Sequence, residues 1–172
     1  HQVQVFDANA WRKGDEVLDQ VLAADQWDVI ALGGITTAYR SVKHIVERTR
    51  QQVPESVIVL GGGILTSLPR EMMTWLPDVD VGVIGEAFET FPELLQQVDS
   101  GERAWLAVDG TISRRATDGE LMLSPIRQLI EDLDSLPYPA WDLFPLEEVY
   151  LKNSEVLYSE EGMLASRRLD IN

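Results

Sequence analysis

The feature that most constrains this chain is a repeated handover, in which a short apolar run meets glycine and then an amphipathic stretch. "WDVIALGG" (27–34) leads into "TAYRSVKHIVERTRQQ" (37–52). "SVIVL" (56–60) passes through three glycines towards "PREMMTWL" (69–76), and "VDVGVIG" (79–85) leads into "TFPELLQQVDSG" (90–101). The first of these is a continuous apolar run ending in glycines, as a strand covered on both faces is. The stretches between them have helical spacing: Ala38, Val42, Ile45, Val46 and Thr49 share one helix face. "VQVFD" (3–7) and "GDEVLDQVLAAD" (14–25) read as one more strand and helix. With connections this short, the rhythm predicts a parallel sheet with helices on both faces.

After Gly101 the rhythm breaks. "AWLAVDGTISRR" (104–115) puts Asp109-Gly110 between two strand-like runs, a hairpin signal, and "TDGELML" (117–123) suggests a further strand. Residues 124–150 carry Pro125, Pro137, Pro139 and Pro145, which favour an extended connection over long helices. The same segment holds Leu133, Leu136, Tyr138, Trp141, Leu143 and Phe144, too apolar for a free linker. It is expected to pack on the sheet domain or to present a patch to a partner. The expected organisation is an α/β domain over 1–103, a β-hairpin extension over 104–123 and a connector over 124–172. The start inside "VQVFD" and the end on "LASRRLDIN" give the further expectation of a piece cut from a longer protein.

Strands of a parallel sheet point the same way, so their strand-to-helix loops gather on one edge, where ligands bind. Glycine recurs in three such loops: "LGGITT" (32–37), "LGGGIL" (60–65) and "IGEAFET" (84–90). A glycine lets a ligand come against the backbone itself, although tight turns also use it for geometry alone. Thr36, Thr37, Thr66, Ser67 and Thr90 add hydroxyls to these segments. Glu86 suits either a ligand hydroxyl or amide, or capping of the next helix. Asp7 suits either a turn or a ribose hydroxyl. The dinucleotide G-x-G-x-x-G and the phosphate-loop G-x-x-x-x-G-K-[ST] are both absent.

Composition narrows the classes further. The formal net charge of −15 opposes a nucleic-acid partner. No apolar run approaches the length of a membrane helix, and no secretory pattern opens the chain, so a cytoplasmic protein is expected. There is no cysteine to form a disulfide or to ligate a cluster.

"DVIALGGITT", "VIVLGGGI", "VDVGVIGEAFETFPELL" and "IEDLDSLPYPAWDLFPLEEVY" together resemble the cobalamin-binding region of the cobalamin-dependent radical S-adenosylmethionine enzymes. The resemblance covers nearly the whole chain, and the "DLDSLPYPAWDLFP" connector is its most specific part. It implies a flavodoxin-like sheet that binds cobalamin across its carboxyl edge and that here lacks its first strand. By this resemblance Gly33, Gly34, Ile35, Thr36 and Thr37 lie near the corrin. Gly61, Gly62, Gly63 and Ile64 let the nucleotide tail run beside the sheet, and Gly85, Glu86 and Thr90 flank the tail on its far side.

The resemblance also implies a radical S-adenosylmethionine barrel downstream. It would open on a Cys-x-x-x-Cys-x-x-Cys run that ligates a [4Fe–4S] cluster, with "LASRRLDIN" as its lead-in. No catalytic residue is expected in the chain itself. Many cobalamin proteins place a cobalt-ligating histidine in an Asp-x-His-x-x-Gly loop, and that motif is absent. His1 is terminal and His44 lies on a helix, so neither is expected on the metal. The competing expectation is a flavodoxin-like interaction or regulatory domain that binds no corrin.

Overall fold

The computed structural model describes residues 1–8 and 14–151. By internal contacts the chain divides into two units. One is Asp19–Ile130; the other joins His1–Leu18 to Glu131–Asn172. "LASRRLDIN" and Trp11 lie outside the described residues.

The Asp19–Ile130 unit is built on a five-stranded sheet in the order β1-β2-β3-β4-β5. The strands are β1 (Val29–Gly33), β2 (Val57–Gly61), β3 (Val81–Val83), β4 (Thr111–Arg114) and β5 (Leu121–Leu123). β1, β2 and β3 pair in parallel, and β4 and β5 add antiparallel. The helices are α1 (Asp15–Ala23), α2 (Tyr39–Gln52), α3 (Gly62–Ser67), α4 (Pro69–Trp75) and α5 (Thr90–Asp99).

Alternation along β2 shows why the fold closes on both sides. Successive strand residues face opposite ways. Ile58 and Leu60 join Val42 and Val46 of α2, Ile64 and Leu65 of α3, and Met72 and Met73 of α4 in one core. Val57 and Val59 join Val81, Val83, Leu94 of α5, and Trp105 and Val108 in the other. The expected flavodoxin-like α/β layering with helices on both faces is therefore present.

Polar groups tie the amino-terminal side of the sheet. Asp80 Oδ2 accepts the Ile58 N–H at 2.7 Å and pairs with Arg50 at the same distance. Arg50 also donates to the carbonyls of Pro54, Ser56 and Asp78. Trp27 Nε1 donates to the Val21 and Leu22 carbonyls, filling acceptors that the last turn of α1 leaves open. Arg48 of α2 grips Asp19 of α1 with two bonds, at 2.5 and 2.6 Å.

Two sequence expectations need correction. Residues 3–7 form no strand: no described strand pairs with them, and Val3 is exposed. An extended apolar segment becomes a strand only where a neighbour supplies the ladder. The hairpin expected at Asp109-Gly110 lies one connection later, between β4 and β5. Residues 105–107 instead make a single 3-10 turn, because Trp105 is buried and the Thr111 hydroxyl binds the Trp105 and Val108 carbonyls. The β4–β5 turn uses Asp118, whose side chain accepts from Arg115 and from the Glu120 N–H.

In the other unit, residues 131–151 follow the extended, turn-rich course that their prolines favour, ending in a helical stretch at Leu146–Leu151. Trp141 meets Phe144 at a tilt and Phe144 meets Tyr150 edge-on, with ring centroids 6.3 and 6.4 Å apart. The Tyr150 hydroxyl donates to Asp7 Oδ2 at 2.5 Å. Leu133, Trp141 and Leu143 are exposed, and Tyr138 is almost wholly so at 97%.

Candidate functional site

The carboxyl ends of β1, β2 and β3 bring the three glycine segments to one edge. Gly33 and Gly61 are register partners at the last rung of the β1–β2 ladder. No loop separates β2 from α3, since Gly61 ends the strand and Gly62 begins the helix. This direct handover was not legible in the sequence, where the helix reads as starting at Pro69.

The glycines divide by what they do. Gly62 has φ +77°, where only glycine is unstrained, and a Cβ on it would stand 3.0 Å from the Gly34 nitrogen and 3.1 Å from the Gly34 oxygen. The Gly34 carbonyl also accepts the Ile64 N–H at 2.9 Å. Gly34 and Gly62 thus lock the first segment to the second, and the fold itself requires Gly62. Gly33, Gly61 and Gly63 differ. A Cβ on any of them would meet nothing nearer than 3.8 Å, and none has a positive φ. Neither packing nor backbone conformation asks for glycine there. Gly85 also faces open space, though its φ of +76° accounts for its identity.

The remaining expected residues sort by exposure. Ile35, Thr36, Thr37 and Glu86 are exposed at the edge, with Ile35 at 66%. Ile64 is fully buried in the core. Thr90 is also fully buried, and its hydroxyl donates to the Asp109 carbonyl at 2.9 Å. These two side chains support the edge from beneath and do not line it. Glu89, not Glu86, occupies the position before α5, and no side chain caps that helix. The capping reading of Glu86 therefore falls, and its carboxylate has no hydrogen bond or ion pair among the described residues. Asp7 belongs to the other unit, where its Oδ2 accepts from the Tyr150 hydroxyl.

Two further contacts and exposures shape the edge. Thr66 Oγ1 accepts the Gly85 N–H at 3.0 Å and ties the second segment to the third. Phe88 is 57% exposed in the third segment and, with Ile35, gives the edge apolar side chains. Residues 32–37, 60–67 and 84–90 include no lysine or arginine. Such an edge lacks the cations that a polyphosphate calls for. It offers bare backbone, hydroxyls and a few apolar groups, which suit a broad, largely neutral ligand with amide arms. A corrin fits that description. No group of three or more metal-ligating side chains occurs among the described residues.

Comparison with known proteins decides the family. The model of the B12 binding domain matches residues 1–95. The chain belongs to the B12-binding domain family. Among curated relatives, this B12-binding domain is 26% identical over 149 residues to an uncharacterized methyltransferase of Pyrococcus horikoshii. It is 29% identical over 125 residues to the anaerobic magnesium-protoporphyrin IX monomethyl ester cyclase of Rubrivivax gelatinosus. It is 28% identical over 150 residues to the cyclase of the same name from Synechocystis. These alignments cover 86%, 70% and 86% of the chain but only 32%, 22% and 29% of the relatives. The chain thus spans at most about a third of each relative's length. No helix among the described residues is long and apolar enough to cross a membrane.

Proposed function

We propose that this B12-binding domain holds cobalamin across the carboxyl edge of β1, β2 and β3, as the cofactor module of a radical S-adenosylmethionine enzyme. The observation that carries the reading is the bare backbone at Gly33, Gly61 and Gly63, where a side chain would fit yet none is present. Gly33 and Gly61 give the corrin and its tail a flat approach. Thr36, Thr37, Thr66 and Glu86 offer hydrogen-bond partners to the amide arms, and Ile35 and Phe88 cover ring edges from water. Gly34 and Gly62 keep the first two segments in fixed register, so the surface is formed before the ligand arrives.

When bound, cobalamin supplies the cobalt chemistry, and the domain's part is binding and orientation. The reaction of the whole protein is a methyl transfer to an unactivated carbon, or a ring-forming or rearrangement reaction. The names of the methyltransferase and cyclase relatives support that pair. S-adenosylmethionine and a [4Fe–4S] cluster belong to a barrel outside these residues, in a cytoplasmic setting. The exposed Leu133, Tyr138, Trp141 and Leu143 support a surface that the barrel covers.

Hydroxocobalamin titration with absorbance readout, combined with hydrogen exchange, tests the reading. Saturable binding should slow exchange at residues 33–37, 61–67 and 85–89. Absence of binding would leave the corrin-free interaction domain as the better reading. Protection confined to other residues would move the site away from this edge.

A further inference from the structure

The third glycine segment is anchored from outside the parallel strands. At its start, the Ile84 N–H donates to the Gly110 carbonyl at 2.8 Å. At its end, the buried Thr90 hydroxyl donates to the Asp109 carbonyl. Arg127 then reaches across the same turn. Its Nε donates to the Asp109 carbonyl at 3.3 Å, Nη1 to Glu89 Oε2 at 3.1 Å and Nη2 to Glu93 Oε2 at 2.5 Å. The backbone that carries Arg127 is itself fixed, because the Gly110 N–H donates to the Pro125 carbonyl at 2.8 Å. The Arg127 side chain is only 17% exposed. The Glu93 hydrogen bond, with that of Glu89, raises its already high pKa, so its charge is permanent.

The other two segments need no such device. The first is tied to the second through Gly34 and Ile64, and the second is itself the start of α3. The third runs from Gly85 to Glu89 with every residue exposed; Thr66 accepts the Gly85 N–H, the Ala87 carbonyl accepts from Phe91, and the remaining anchors lie at its ends.

We propose that Arg127 is a positioning residue for the third glycine segment. It pins Glu89 and the first turn of α5 to the 109–110 turn, and so sets Gly85–Phe88 against the cofactor edge. The proposal rests on the cobalamin reading only for the identity of the ligand that this segment meets. Gly110 and Arg127 lie beyond residues 1–95, so the device is a contribution of the antiparallel extension and not of the matched domain. Arginine suits the task because its planar fork holds several acceptors in fixed directions, which lysine cannot do. Partly exposed ion pairs add little to global stability, so the main consequence is the placement of one loop.

The test uses Arg127→Ala, Arg127→Lys and Glu89→Gln in the whole protein, read by hydrogen exchange without ligand and by hydroxocobalamin affinity. Arg127→Ala should speed exchange at 85–89 and weaken cobalamin binding, each by about tenfold. Exchange in β1–β3 should stay as in the wild type. Arg127→Lys should recover part of both effects, and Glu89→Gln should shift both in the same direction by less. Wild-type exchange at 85–89 in a folded Arg127→Ala protein would overturn the proposal, as would a uniform rise across the sheet. Should Arg127→Ala fail to fold, Glu89→Gln decides by the same readout, since it alters an exposed side chain. If the wild type binds no cobalamin, the functional reading fails while the exchange measurement still judges Arg127.

Discussion

Gly62 stands against the backbone of Gly34, close enough that a Cβ on Gly62 would fall 3.0 Å from the Gly34 nitrogen. The contact separates Gly62, which the fold needs, from Gly33, Gly61 and Gly63, where neither packing nor a positive φ calls for glycine. Gly62→Ala should cost about 1–3 kcal/mol, through strain at a positive φ and displacement of the first segment. A lowered urea midpoint would be the sign. A midpoint equal to that of the wild type would show that the Gly34–Gly62 lock is loose.

Acid should weaken the grip of α2 on α1. The Arg48 hydrogen bonds hold the Asp19 carboxyl below the usual carboxylate range. A carboxyl with a depressed folded pKa stabilises the protein above its unfolded pKa. That stabilisation disappears as pH falls through the folded value, so the loss belongs below about pH 4. Asp19→Asn should therefore be less stable than the wild type at pH 7, with the gap closing as the solution is acidified. Unfolding midpoints from pH 7 to pH 3 check this. A gap that stays constant with pH would detach Asp19 from the acid response.

Cobalamin should bind with no protein histidine on cobalt. His44 sits on α2 between Lys43 and Ile45, away from all three glycine segments in sequence, and His1 is terminal. The electron paramagnetic resonance spectrum of the reduced cob(II)alamin complex reads the axial ligand. It should show no nitrogen splitting from a protein imidazole. Splitting that vanishes in His44→Ala would contradict the expectation.

Much of the architecture could be read from the sequence because burial on both faces leaves a continuous apolar run. "VIVL" is such a run, and it lies wholly inside the two cores. Residues 3–7 carry strand-forming side chains in Val3, Val5 and Phe6 yet form no strand, because such residues specify a strand only where a neighbour completes the ladder. The Asp109-Gly110 turn misled for a related reason. Burial of Trp105 and the bonds of the Thr111 hydroxyl are tertiary facts, and they override the hairpin preference of the dipeptide.

The sequence placed the three glycine segments after β1, β2 and β3, as the structure has them, but it did not show what each residue in them does. Gly61, Gly62 and Gly63 look alike in sequence, and only the approach of Gly34 distinguishes the middle one. Ile64 and Thr90 belong to site segments but turn inward, since α3 and α5 begin at once and direct those side chains into the fold. Arg127 was illegible because its partners Glu89 and Glu93 lie far away in sequence.

Gly33→Val tests the central claim most directly. Gly33 ends a strand, is exposed, and has no atom nearer than 4.0 Å to an added Cβ. Valine favours strands, so the fold should accept it. Hydroxocobalamin affinity and the urea midpoint would be measured for wild type and variant. The cofactor reading predicts an unchanged midpoint and binding weaker by about tenfold or more, a difference of about 1.4 kcal/mol at least. Wild-type affinity in the folded variant would contradict it and remove cobalamin from this edge.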